Sequence, residues 1–100
     1  MQYYQKRLVI GAIASCLCTF YNNGKANVMI IDSVFVRETS RGKGFGIKII
    51  EKAKELAKKR NVDSIELVVN TDNGIAKHLY EKCEFEKTNK DYYRLILHKL

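Results

Sequence analysis

Three glycines at alternate positions, Gly42, Gly44 and Gly46, separate an apolar β-branched run from a stretch of helical periodicity. A chain written this way leaves a strand, turns tightly and enters a helix, because glycine permits the backbone shapes and close approaches such a turn needs. The strand is predicted over residues 27–37 and the helix over 44–60. Along the helix Ile49, Ile50, Ala53, Leu56 and Ala57 form an apolar stripe, while Lys48, Glu51, Lys52, Glu55, Lys58 and Lys59 line the other side. Ser64-Ile-Glu-Leu-Val-Val69 is short and β-branched, which predicts a further strand over 64–70. With a helix between them, the two strands pair in parallel through a right-handed crossover.

Antiparallel pairs are predicted on both sides of this βαβ unit. Residues 6–20 read as one strand, and Asn22-Asn23-Gly24 as a hairpin turn into residues 27–37, since Asn-Gly suits the positive φ angles of a type I′ turn. Lys6-Arg7 followed by an apolar run and Cys16 also has the pattern of a short signal peptide. Cleavage there would discard half of a well-marked hairpin, so the strand is preferred. The run is too short for a transmembrane helix, which needs about 20 residues. Downstream, a second helix over 73–83 carries Ile75, Leu79 and Cys83 on one line and Ala76 and Tyr80 on the next. Strands over 84–88 and 92–99, joined by a turn at Asn89-Lys90-Asp91, close the chain. The class is α+β: a mixed, largely antiparallel sheet with a central βαβ unit and two main helices, in a single domain over residues 1–100.

The composition, 46% apolar and 29% charged with no proline, excludes intrinsic disorder and collagen-like chains. Eighteen Lys and Arg against eleven Asp and Glu give a net charge of +7, so an anionic partner is expected: nucleic acid, a membrane surface or a phosphorylated ligand. Cys16, Cys18 and Cys83 are odd in number and lack framework spacing, which argues against a secreted disulfide scaffold and for a cytoplasmic, reducing setting. Cys16-x-Cys18 lacks the second half of a zinc site, because His78 and His98 stand at no ligand spacing; no metal is expected.

The glycine turn is where chemistry is expected. Main-chain N–H groups at a helix start cradle anions, and Arg41, Lys43 and Lys48 add positive charge around a pyrophosphate. A Walker loop is excluded, since no Lys-Ser or Lys-Thr follows Gly46. A dinucleotide fingerprint is excluded by the G-x-G-x-G spacing and by Val68-Val69-Asn70, where a ribose-binding acid would stand.

Arg41-x-x-Gly44-x-Gly46 after an apolar strand resembles the acetyl-CoA signature of the GCN5-related N-acetyltransferase (GNAT) superfamily. Asn73-x-x-Ala76-x-x-Leu79-Tyr80-Glu81-Lys82-x-x-Phe85 is similar to that family's second block, and the resemblance extends over residues 27–98. It implies direct transfer of an acetyl group from acetyl-CoA to a primary amine in a ternary complex. It places the pantetheine arm on the backbone of Val34, Phe35 and Val36. The pyrophosphate falls on the main chain of Arg41, Gly42, Lys43, Gly44, Phe45, Gly46 and Ile47. Asn73 matches a cofactor-contacting asparagine, although asparagine is equally suited to cap a helix. Tyr80 matches the general acid that protonates the departing thiolate, a role suited to a phenol whose reference pKa is about 10. The base that takes the amine's proton is open among Asp32, Glu38, Glu66 and an ordered water chain. Asp32 is preferred because strand alternation puts it on the same side as Val34 and Val36. Cys83 has no histidine base beside it in the pattern and reads as core filler.

Two departures from the family pattern matter. Glu84 stands where the family has glycine, and a left-handed conformation there would cost about 1–2 kcal/mol. The strand and two helices that usually precede the segment beginning near Tyr3 are absent, which implies an open acceptor cleft for a small-molecule or protein amine, or a second subunit as the missing wall. An uncovered first strand also invites pairing, so a homodimer is expected. No membrane partner is expected. Two other functions compete: nucleic-acid binding through Arg41, Lys43, Lys48, Lys52, Lys58, Lys59 and Arg60, which no recognised motif accompanies, and a non-catalytic CoA-binding relic.

Overall fold

The computed structural model describes residues 3–70, 72–89, 91 and 93–97. Four strands form one sheet in the order β1-β2-β3-β4, with β1 at Tyr3–Ile10, β2 at Ala14–Asn22, β3 at Asn27–Val36 and β4 at Ser64–Leu67. Helix α1, Phe45–Lys59, crosses from β3 to β4, and α2, Gly74–Lys82, follows. The β1–β2 and β2–β3 pairs are antiparallel and β3–β4 is parallel, so the fold is the expected mixed α+β arrangement around a βαβ unit. Among the described residues no helix is long and apolar enough to cross a membrane.

The single strand expected over 6–20 is instead a hairpin. The chain reverses at Gly11-Ala12-Ile13, where the Ile13 N–H donates to the Ile10 carbonyl at 2.9 Å. Small apolar residues on both sides of this turn hide it in the sequence. The second hairpin is where expected but uses a longer loop than two residues. The Asn23 side-chain oxygen accepts from the N–H groups of Lys25 and Ala26, and the Asn22 oxygen accepts from Gly24. These side chains imitate backbone turns, the reason asparagine favours such positions.

One face of the sheet carries the core. Cys16, Cys18 and Phe20 of β2 and Met29 and Ile31 of β3 pack against Ile49, Ile50, Ala53 and Ala57 of α1, the stripe read from periodicity. Full burial of Met29, Ile49 and Ile50 contributes about 1.5–3 kcal/mol each. The Lys52 ammonium donates to the Val9 carbonyl at 2.9 Å and ties α1 to the edge strand. Beyond Ile31 the core side changes parity. Val34 and Val36, not Ser33 and Phe35, pack on the cluster, because Ser33 has φ 50° and the β2–β3 register shifts there. This is a β-bulge, which inserts a residue and kinks the strand.

The strand expected over 64–70 stops at Leu67, and Val68 is exposed. The strands expected over 84–88 and 92–99 are not present among the described residues. Tyr93, Leu95, Ile96 and Leu97 lie exposed instead; Lys90, Tyr92 and His98, with the rest of 98–100, lie outside the described residues. A β-prone sequence needs a neighbouring strand to stabilise it, and after Phe85 the polar run Glu86-Lys87-Thr88-Asn89 offers the core nothing.

Helix α2 ends as the family comparison in the sequence implied. Glu84 has φ 72°, its N–H donates to the Glu81 carbonyl, and the Phe85 N–H donates to the Tyr80 carbonyl, both at 3.0 Å. With the Phe85 ring edge-on to Tyr80 at 6.2 Å, this is a complete Schellman ending. Its left-handed position is usually glycine, because a Cβ there costs about 1–2 kcal/mol. The Lys54–Glu84 ion pair, 3.8 Å long with Glu84 largely exposed, offsets little of that. Glu84→Gly is therefore expected to stabilise the fold by about 1 kcal/mol, raising Tm by about 4–8 °C in thermal unfolding; an unchanged or lower Tm would show that the position is unstrained.

Candidate functional site

Parallel pairing of β3 with β4 runs from Val28↔Ser64 to Ile31↔Leu67 and ends there, while β3 continues to Val36. The stretch after Ile31 therefore has a strand neighbour only on its β2 side. Arg37 donates its N–H to the Ile13 carbonyl, on the β2 side. Strand alternation then turns the backbone groups of Phe35 towards β2 as well, and those of Val34 and Val36 towards the gap. Of the three expected cofactor-strand residues, Val34 and Val36 thus present main-chain groups to open space. The Val36 carbonyl already accepts a bond from Arg41 Nε at 3.1 Å, which clamps the loop to the strand end.

The loop follows a short 3-10 turn at Glu38–Ser40. Gly42 and Gly44 have φ 80° and 84°, and a Cβ at either would meet no atom within 4 Å, so a concave, left-handed path faces free space. Gly44 is the N-cap of α1 and supplies no side-chain bond. The first helical bond is from the Lys48 N–H to the Gly44 carbonyl, which leaves the N–H groups of Phe45, Gly46 and Ile47 without backbone acceptors among the described residues. Arg41, Lys43 and Lys48 are exposed around this end, and the Lys48 ammonium lies 5.0 Å over the Phe45 ring. Gly46 has a different reason to be glycine. A Cβ there would stand 3.1 Å from Leu79 Cδ2, so its absence seats α2 against α1.

Asn73 is the N-cap of α2, its side-chain oxygen accepting from the Ala76 N–H at 3.1 Å. The capping reading therefore holds for that oxygen. Tyr80 is half-buried against the core cluster. Burial holds its phenol above the ordinary value of 10.0, and the Cys16 and Cys83 sulfurs act in the same direction. Cys16, which carries one of those sulfurs, lies on β2 between Ser15 and Leu17, the residues that bracket the bulge.

Asp32 does not share a side with Val34 and Val36, because the bulge between them exchanges the faces. It is exposed on the sheet's other face, opposite Leu17, and Glu66 is on that face too, opposite Ile30. Glu38 is exposed in the 3-10 turn. Asp32 and Glu66 thus lie on the face opposite the core cluster against which Tyr80 packs. The bulge was missed in the sequence, where its trace is a three-residue step between core positions Ile31 and Val34.

The three thiols are buried. Cys16 and Cys18 lie side by side with sulfurs 3.9 Å apart, and their contact together with burial holds Cys18 firmly protonated. Burial likewise raises Cys83, with Glu51 and Glu84 adding to it and Lys54 opposing, which suits core filler and not a nucleophile. No group of three or more candidate metal ligands occurs among the described residues. A shallow concavity of about 560 Å³ beside Lys54, Ile65 and Phe85 shares no residue with the gap or the loop.

Comparison with known proteins identifies the family to which this arrangement of strand, glycine turn and helix belongs. The acetyltransferase (GNAT) family matches residues 3–85, and the chain belongs to that family. An uncharacterized N-acetyltransferase of Methanocaldococcus jannaschii is 36% identical over 90 residues, covering 87% of this chain and 39% of that protein. This chain therefore spans well under half of that curated relative. Among solved structures, one named a probable acetyltransferase superimposes with a TM-score of 0.79 at 17% identity, over 98% of this chain and 70% of its own. A Pyrococcus furiosus protein provisionally named an acetyl transferase gives 0.78 at 22% identity, over 95% and 68%. At these identities the structures show a shared fold.

Because Tyr80 has a raised value in the folded chain, it contributes stability that is present below its unfolded value and is lost as pH rises through the folded one. Ultraviolet titration of the native protein is expected to show a tyrosine ionising later than an ordinary phenol, and Tyr80→Phe should remove that late step. A titration unchanged by the substitution would place the buried phenol elsewhere.

Proposed function

We propose that the chain is an N-acetyltransferase that moves an acetyl group from acetyl-CoA to a primary amine by direct attack. What supports this most is one arrangement: a bulged strand end that lacks a neighbour on its β4 side and leads into an open glycine turn and a helix start without backbone acceptors. The residues present fit the cosubstrate. The N–H groups of Phe45, Gly46 and Ile47, with the open positions at Gly42 and Gly44, suit a diphosphate, and Arg41 and Lys43 add charge. Val34 and Val36 offer main-chain groups to an extended amide-bearing arm, as a strand offers them to a neighbour. The cosubstrate supplies the activated thioester.

Tyr80 is the proton donor to the leaving sulfur. Its burial keeps the proton on the phenol at neutral pH, and a phenol and a thiol are close enough in acidity for the transfer to be favourable. Asp32, on the opposite face, takes the proton of the incoming amine, directly or through water, so that acid and base work from the two sides of the gap. Glu66 and Glu38 are the other carboxylates within the same region. The nucleic-acid reading loses support because two of its residues are engaged within the fold: Lys52 on the Val9 carbonyl and Arg60 over the Tyr4 and Phe20 rings.

Calorimetry with CoA is expected to show binding and thermal protection. Tyr80→Phe should lower kcat by about a hundredfold or more while leaving CoA affinity nearly unchanged. Binding without turnover across a panel of amines would make the chain a CoA-binding relic, and absence of binding would remove the assignment altogether. The alkaline limb of kcat is expected above the ordinary tyrosine value of 10.0, because the folded phenol is raised.

A further inference from the structure

Helix α2 is nine residues long, and none of its residues is fully buried. A helix shorter than about 12–15 residues is marginal on its own in water, so the place of α2 depends on what holds it. Its start is self-contained, since Asn73 caps it from within. Its end is not. Cys83 closes the helix, and its carbonyl is one of the helix-end acceptors for which no intrahelical N–H remains. The donor comes from α1. The Lys54 ammonium donates to the Cys83 carbonyl and to Glu51 Oε1, both at 3.3 Å, and Glu84 Oε1 lies 3.8 Å away. A cation in this place also meets the negative end of the α2 dipole.

Tyr80 stands inside the turn that this bond closes. Its carbonyl accepts from the N–H groups of Cys83 at 3.1 Å and Phe85 at 3.0 Å. Leu79, one residue before it, sits over Gly46 of α1. Two contacts from α1 thus bracket the phenol-bearing residue, one of shape and one of hydrogen bonding. We propose that Lys54 is a positioning residue for the Tyr80 phenol, fixing the last turn of α2 through the Cys83 carbonyl. Its consequence for turnover rests on the reading of Tyr80 as the proton donor; its consequence for the place of the ring does not.

The end of α2 already carries strain, because Glu84 holds the left-handed position at φ 72°. Loss of the ammonium leaves the Cys83 carbonyl without its donor and the Glu51 and Glu84 carboxylates without the cation between them. The last turn is then free to fray, and the backbone of Tyr80 goes with it. The glycine turn lies out of reach of this change, since Lys54 follows Gly46 by eight residues, about 12 Å of helix.

Lys54→Met removes the charge and keeps much of the bulk, whereas Lys54→Arg keeps a donor; circular dichroism checks the folding of both. In ultraviolet titration the late Tyr80 step is expected to move down towards the ordinary value of 10.0 in Lys54→Met and to return in Lys54→Arg. The direction is informative. Loss of a positive charge alone would push a phenol up, so a downward move reports a ring that has left the core. In Lys54→Met kcat should fall about tenfold or more, with CoA affinity within about twofold of the wild type, and arginine should recover most of the loss. Glu51→Gln, which removes an ion pair and leaves the carbonyl bond, should change neither reading. Lys54→Gln, too short for the carbonyl, serves the same comparison if the methionine variant does not fold. A folded variant with the late step and kcat both unmoved, or a loss that arginine does not recover, overturns the proposal. The titration uses no cosubstrate, so a chain that turns over no amine removes the proposed function and leaves this test standing.

Discussion

The ladder between β3 and β4 holds for four residue pairs and then opens, and the rest of the molecule is arranged around that opening. Backbone amides and carbonyls inside a protein must find partners. A strand that loses its neighbour halfway is either solvated there or reserved for something that imitates a strand. The bulge at Ser33, in the ladder with β2, bends β3 and exchanges its faces just beyond Ile31, the last residue paired with β4. It also carries a non-glycine residue in a left-handed conformation, at a cost of about 1–2 kcal/mol. The core offsets this through the dense contact of α1 with β2 and β3, where Met29, Ile49 and Ile50 are fully buried.

Local patterns were legible in the chain, and long-range register was not. The α1 stripe could be read because helical periodicity depends only on residues three and four apart, and all of its members except the half-buried Leu56 are fully enclosed. The Asn73 cap, the Asn22–Asn23 turn and the left-handed Glu84 were likewise local matters of side-chain chemistry and φ. The turn at residues 11–13 escaped because it is built from Gly, Ala and Ile, which continue the apolar run around them. The bulge escaped because it is a property of two strands, not one. A shift of one residue reverses every side chain beyond it, which is why Asp32 faces away from Val34 and Val36. The closing strands failed for the complementary reason: Tyr93, Leu95, Ile96 and Leu97 have the composition of a strand but no neighbour among the described residues.

Charge shows how far composition can mislead. A surplus of seven positive charges suggests a broad anionic partner, yet several of the lysines on α1 are spent within the fold. Lys52 closes an edge carbonyl, Lys54 bonds the Cys83 carbonyl at the end of α2, and Arg60 stacks over the Tyr4 and Phe20 rings. In each case the charged head finds an acceptor or a π face. Two exposed groups of charge remain, Arg41, Lys43 and Lys48 at the start of α1 and Lys58 and Lys59 at its end.

The seat of Leu79 against Gly46 joins two regions that are far apart in sequence. Leu79 is the residue before Tyr80, and Gly46 belongs to the first turn of α1, so the Leu79 side chain sets the spacing between the start of one helix and the phenol-bearing turn of the other. The position of the Tyr80 ring therefore rests in part on the absence of a side chain in the first turn of α1. A methyl group at Gly46 would stand 3.1 Å from Leu79 Cδ2, so the leucine would have to give way to keep α2 in its seat.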